Sequence, residues 1–128
     1  MLKKKCQSMI EFMIIFGVLI FFFVVFMAII QDNINEKNLE KETFLANNIA
    51  LSVQNEIELA SESPDGYYRD FYVPLNLIGK EYKIQLVDNF VYIRAHKIGL
   101  AYNILNYTGN IVKGNNIIQK QNGTVYIN

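Results

Sequence analysis

Lys3-Lys4-Lys5-Cys6-Gln7-Ser8-Met9-Ile10-Glu11-Phe12, followed without a break by the apolar run Met13 to Ile30, decides how this chain is read. A short basic leader comes first, then a polar junction, then a single carboxylate at the mouth of a hydrophobic segment. The run from Met13 to Ile30 is 18 residues with no charge, no Pro and one Gly. As a helix it spans roughly 27 Å, close to the hydrocarbon thickness of a bilayer. It is apolar all round, so none of its faces is suited to water. The three lysines before it favour the cytoplasmic side, which places the C-terminal part outside the cell. An ordinary secretory signal is cut after its apolar region and loses it. A plain uncleaved signal anchor explains the lysines and the apolar run, but it leaves Glu11 without a purpose, because a carboxylate beside a membrane helix costs free energy unless it has a partner.

The junction resembles the archaeal class III signal peptide of type IV pilin-like proteins. In that family a basic leader ends before Gln, and Glu-Phe follows at the fifth and sixth mature positions. Gln7, Glu11 and Phe12 keep this spacing, and Cys6 stands where the family usually has Gly. The resemblance implies cleavage between Cys6 and Gln7 by a prepilin peptidase, retention of the apolar helix, and self-association through that helix into a filament on an assembly platform. Membrane lipid would hold the precursor beforehand. It also implies that Glu11 meets the new N-terminal amine of a neighbouring subunit, a pairing that is specific because a misplaced subunit leaves a charge unpaired. A local role for Glu11 at the positive end of the helix dipole stays open.

Composition fits this organisation. The chain has 128 residues, 52% of them hydrophobic. Six of the nine Phe lie between Phe12 and Phe26. Formal net charge is zero, and loss of Lys3, Lys4 and Lys5 leaves 9 basic against 12 acidic side chains, about −3. No basic run remains to suggest nucleic acid. Cys6 is the only cysteine, so no internal disulfide can form. It precedes the apolar segment, the reverse of the order around a lipid-modified cysteine.

From Gln31 to Glu62 there is no Gly and no Pro, and Leu39, Ala46, Ile49, Val53, Ile57 and Ala60 recur at helical spacing. One helix from about Ser8 to Glu62 is expected, roughly 80 Å long, half embedded and half the spine of a head. Asp32-Asn33-Ile34-Asn35 is its weakest stretch. Phe44 and Leu51 lie nearly opposite the stripe and are either surface residues or contacts to a neighbour. Ser61-Glu62-Ser63-Pro64-Asp65-Gly66 is a strong stop. The division is a leader at 1–6, an apolar membrane and assembly helix at 7–30, an amphipathic continuation at 31–62, and a β head at 63–128.

In the head, Phe71 to Ile78 reads as extended, with Pro74 confining it to an edge or bulge. Tyr82, Ile84 and Leu86 alternate with Lys83 and Gln85. Asp88-Asn89 is a turn, and Val91, Ile93 and Ala95 alternate with Tyr92 and Arg94. Gly99 to Tyr107 reads as an extended connector. Ile117 to Lys120 and Thr124 to Ile127 form a hairpin around Asn122-Gly123, a pair suited to a type I′ turn. The expected fold is α+β: one long N-terminal helix whose Ile49, Val53 and Ile57 cover a small antiparallel sheet of four or five strands. From Ile78-Gly79-Lys80-Glu81-Tyr82-Lys83-Ile84 to Asn122-Gly123-Thr124-Val125 the chain also looks like the strand region of small archaeal pilin-like proteins.

No catalytic constellation is expected. His96 is the only histidine and stands beside Lys97, which suits a surface position better than a metal ligand. There is no Cys–His pair for a nucleophile and no Gly-rich phosphate loop, so no cofactor or metal is expected. Glu36, Glu40, Glu56, Glu58 and Glu62 read as solvated helix positions. Tyr67, Tyr68, Phe71 and Tyr72 form an aromatic cluster, for core packing or an adhesive surface. Asn106-Tyr107-Thr108 and Asn122-Gly123-Thr124 fit the N-glycosylation acceptor pattern, although Asn122 also serves its turn. The sequence leaves open a minor pilin or pseudopilin that primes assembly, an archaellin-like subunit, and an uncleaved single-pass protein with an outward binding domain. It leaves open adhesion, motility or a secretion-like role as well.

Overall fold

The computed structural model describes every residue from Met1 to Asn128. One helix, α1 (Leu2–Glu62), precedes seven strands: β1 (Tyr68–Val73), β2 (Lys83–Val87), β3 (Phe90–Ala95), β4 (Ile98–Asn103), β5 (Tyr107–Gly109), β6 (Gly114–Gln121) and β7 (Thr124–Ile127). The chain is α+β, with a long N-terminal helix packed on small sheets. Its internal contacts divide it into two units, Met1–Asn38 and Leu39–Asn128.

The first unit is helix alone. It starts at Leu2 rather than near Ser8, because Leu, Lys and Gln are good helix formers and no Gly or Pro occurs before Gly17. It continues through Asp32-Asn33-Ile34-Asn35 without melting. There the Asn33 side chain donates to the Ile29 carbonyl at 3.0 Å, a local bond that a helix tolerates.

In the second unit, α1 stops where the sequence places the stop. The Ser63 amide and hydroxyl both donate to the Leu59 carbonyl, at 3.1 and 2.6 Å, and Pro64 cannot continue the helix. The last turn has no basic residue of its own. The cation comes from β6: the Lys120 ammonium donates to the Ser61 and Ser63 carbonyls at 2.6 and 2.8 Å. A positive charge on the orphan carbonyls of a helix C-terminus is favourable.

The strands form two sheets, not the one expected. The first has order β1-β6-β7-β5 and the second β2-β3-β4. Strand β1 ends at Val73, immediately before Pro74, and pairs with β6 rather than with its neighbour in sequence. The Leu77–Lys80 turn, closed by reciprocal backbone bonds at 2.9 Å, then carries the chain into the second sheet. That sheet is an antiparallel meander. Asp88 and Asn89, with φ of 47° and 63°, make its first turn as expected. Gly99 to Tyr107 is not a plain connector, since β4 occupies its first half and pairs with β3.

The first sheet is mixed. The β6–β7 hairpin turns at Asn122 and Gly123, with φ of 51° and 77°, as a type I′ turn requires. It inserts β7 between β6 and β5. Two reversals of direction leave β7 parallel to β5. At that edge Gly109 has φ of 113°, and a Cβ there would overlap the Ile127 carbonyl.

The core lies between the helix stripe and both sheets. Ala46, Ala50, Val53 and Ile57 bury against Val73, Leu77, Ile118 and Ile127 of the first sheet and its approach, and against Val91 and Ile93 of the second. Removing this much apolar surface from water, at about 25 cal/mol per Å², is the main force holding the unit together. Tyr82 is buried at its margin. Its hydroxyl donates to the Pro74 carbonyl, and the Lys113 ammonium sits 5.4 Å above its ring. Burial, with a smaller contribution from Tyr72, pushes the Tyr82 phenol from 10.0 up to about 12. The unfolded chain loses this proton first, so the contribution to stability is full below pH 10.0 and is lost as pH rises through about 12. Between about pH 9 and about pH 11, the melting temperature is therefore expected to fall less in Tyr82→Phe than in the native chain. Equal falls would show that other groups carry the alkaline transition.

Candidate functional site

In the first unit, 18 consecutive helical residues reach a mean hydropathy of 3.2, and none is covered by the rest of the chain. The helix is long and apolar enough to cross a membrane. Phe12, Phe21, Phe22, Phe23 and Phe26 are each 60% exposed or more. Phe12 stacks on Phe16 at 6.0 Å, one turn along. This is an apolar surface on every side, and water is a poor solvent for it.

The junction residues lie in the first turns of the same helix. Cys6 is an exposed free thiol. Glu11 makes no ion pair; its Oε1 accepts a hydrogen bond from the Gln7 side-chain amide at 3.1 Å. Gln7 and Glu11 are thus brought together by i, i+4 geometry alone, whereas Phe12 is not brought to them and stacks on Phe16 instead. The peptide joining Cys6 to Gln7 is helical, one turn in from the start of α1, just past the unpartnered backbone donors of the helix end, since the Lys5 amide already bonds the Met1 carbonyl at 3.4 Å.

In the second unit, Ile49, Val53 and Ile57 are 8%, 1% and 0% exposed and face the sheets. Leu39 is 38% exposed, so burial begins later than the apolar pattern does. The first buried residue on the stripe is Glu42, 4% exposed, which the sequence reading passed over. Its Oε2 meets the Lys80 ammonium at 3.1 Å, while Oε1 has no partner. The signal was available, since Glu42 falls four residues before Ala46 on the same i, i+3/i+4 rhythm. Glu56 is not simply solvated either: it pairs with Arg69 at 3.5 Å and has one buried, unpartnered oxygen. Phe44 and Leu51 are exposed, at 63% and 37%. The aromatic cluster divides by strand alternation. Tyr67 and Phe71 pack against the core, whereas Tyr68 and Tyr72 are 58% and 59% exposed.

Asn116 was also missed. It is 1% exposed, accepts from the Val112 amide at 2.9 Å and the Asn128 side chain at 2.8 Å, and donates to the Val112 and Gly114 carbonyls. An Asn inside a strand gives no sign of this in sequence. Asn106 is exposed in the connector between β4 and β5, and its side-chain Oδ1 accepts from the Asn89 side-chain amide at 2.8 Å. Asn122 is exposed in its turn, beside Gly123, whose amide donates to Asp65 at 2.8 Å. His96 is exposed in the β3–β4 turn.

No family model, no curated protein and no solved structure matches this chain.

Proposed function

We propose that this chain is a structural subunit of an archaeal type IV pilus-like surface filament. It is held in the membrane as a precursor, with its head outside. A prepilin peptidase cuts it before Gln7, and an assembly platform packs it helix to helix with other copies. The observation that carries this reading is the order Lys3-Lys4-Lys5, Gln7, Glu11-Phe12, directly ahead of an apolar helix that nothing in the chain covers. Such a surface is stable only in lipid or against other apolar helices. A subunit that passes from membrane to filament uses both environments in turn. Glu11 gives the second environment a register, because cleavage frees an amine at Gln7 that a neighbour's Glu11 neutralises in a dry core.

The site of cleavage is compatible with a helical precursor. Residues 2–6 lie at the N-terminal end of α1, within its first turn and a half, where fraying is least costly and a peptidase can draw the backbone out. The bond between the Gln7 amide and Glu11 favours a second reading, an uncleaved single-pass protein in which Glu11 is satisfied within its own helix. N-terminal mass spectrometry on protein taken from cell membranes and from sheared surface filaments separates the two. Gln7, or its cyclised form, is expected as the first residue of filament material. Chains in filaments that still begin at Met1 would refute the proposal, and absence of the protein from filaments together with an intact leader would support the uncleaved anchor.

A further inference from the structure

The outer face of the β2-β3-β4 sheet is a grid of side chains set by strand register. Its rows are Lys83–Arg94–Gly99, Gln85–Tyr92–Ala101 and Val87–Phe90–Asn103. Every one of these residues is exposed, while the alternate residues of β2 and β3 are buried. Lys83 and Arg94 stand directly opposite each other. Like charges in that position destabilise an antiparallel pair. Neither is relieved from within the chain, whose ion pairs are Arg69–Glu56 and Lys80–Glu42. The grid carries no carboxylate. Lys97 continues the cationic end in the β3–β4 turn. Lys113 borders the adjoining groove, where Glu81 is the one acidic residue.

Shape adds a second constraint. Gly99 and Ala101 leave a low shelf beside Arg94 and Tyr92. The resulting depression, about 460 Å³, is also bordered by Lys83 and Gln85. That volume suits a sugar unit or two rather than a folded partner. The Tyr92 ring, 43% exposed and 6.0 Å from the Phe90 ring, offers a firm amphipathic wall. The Gln85 amide can donate and accept, as ring hydroxyls require.

We propose that this face binds an acidic polysaccharide of the uronic-acid type. A carboxylate lies between Lys83 and Arg94, and its sugar ring lies against Tyr92 over the Gly99–Ala101 shelf. The anion from outside supplies the counter-charge that the chain withholds. The site is built within the head alone, so it does not depend on filament assembly.

The test uses the full chain in nonionic detergent, immobilised for binding measurements with polygalacturonate as the probe. Neutral dextran, polyglutamate and single-stranded DNA are the comparisons. Polygalacturonate is expected to bind most tightly, and more weakly as salt is raised from about 50 to about 500 mM. The double variant Lys83→Gln/Arg94→Gln is expected to bind about tenfold or more weakly. Its melting temperature should be unchanged or higher, since a repulsion has been removed. Gly99→Val is the second variant. A Cβ at Gly99 meets nothing within 4 Å and its φ is ordinary, so the strand accepts Val while the shelf is filled. Its loss of binding at unchanged charge would support the sugar seat. Polygalacturonate binding that is absent in the native chain, or unchanged in both variants, would overturn the proposal. So would polyglutamate or DNA binding as tightly as polygalacturonate, because the face would then read charge and not sugar.

Discussion

Val53→Asp is expected to abolish cooperative folding of the head. Val53 is 1% exposed, on the helix stripe between Ile49 and Ile57, and it faces a core that draws on both sheets. The substitution removes apolar contact and places a carboxylate where no cation is available. The chain's ion pairs lie elsewhere, at Glu42–Lys80 and Glu56–Arg69. An uncompensated charge in such a place costs several kcal/mol even after protonation or local rearrangement. A small domain has only about 5–15 kcal/mol of stability to lose. Leu51→Asp, two residues away but 37% exposed, is the matched control and is expected to melt like the native protein. Circular dichroism melts of residues 31–128, and of the full chain in detergent, would read the difference. A cooperative Val53→Asp transition at the native temperature would mean that the helix uses a different face against the sheets.

If the chain is the filament subunit proposed above, Glu11→Gln is expected to leave membrane insertion and cleavage intact and to remove the subunit from filaments. The substitution separates two roles. A Gln side chain at this position keeps a carbonyl oxygen to accept from the Gln7 amide, so the 3.1 Å local bond survives. Only the charge is lost. If that charge neutralises a neighbour's N-terminal amine in a water-free core, its removal strands the amine at a cost of about 3–5 kcal/mol per contact. Repeated along a fibre, such a cost excludes the variant when native subunits compete. Co-expression of tagged native and variant chains, followed by quantification of each in sheared filaments, gives the answer. Equal incorporation would assign Glu11 to its own helix and remove the intersubunit pair from the proposal.

The parts of this structure that are legible in sequence are those decided locally. The absence of Pro and Gly between Gln31 and Glu62, the i, i+3/i+4 stripe and the Ser63-Pro64 stop specify the helix and its buried face, because helical geometry relates residues only a few positions apart. The turns at Asp88-Asn89 and Asn122-Gly123 are equally local, since they depend on which residues accept positive φ. Alternation in β2 and β3 likewise shows which residues point inward.

What the tertiary structure alone decided depends on contacts between residues distant in sequence. Strand alternation says that Lys83 and Arg94 face outward, but not that they face each other; the register of β2 on β3 decides that. Three residues, Tyr107–Gly109, carry too little pattern to mark a strand, and their parallel pairing with β7 exists only because the β6–β7 hairpin inserts there. Pairing of β1 with β6 divides the strands into two sheets. Lys120 caps a helix that ends about sixty residues earlier. Glu42 is buried because Lys80 arrives from the turn before β2 to meet it. Sequence determines which elements form and which face each one buries, because those follow from backbone geometry. Partner, register and counter-charge are settled only when the whole chain closes around one core and each buried polar group must find what distant segments bring to it.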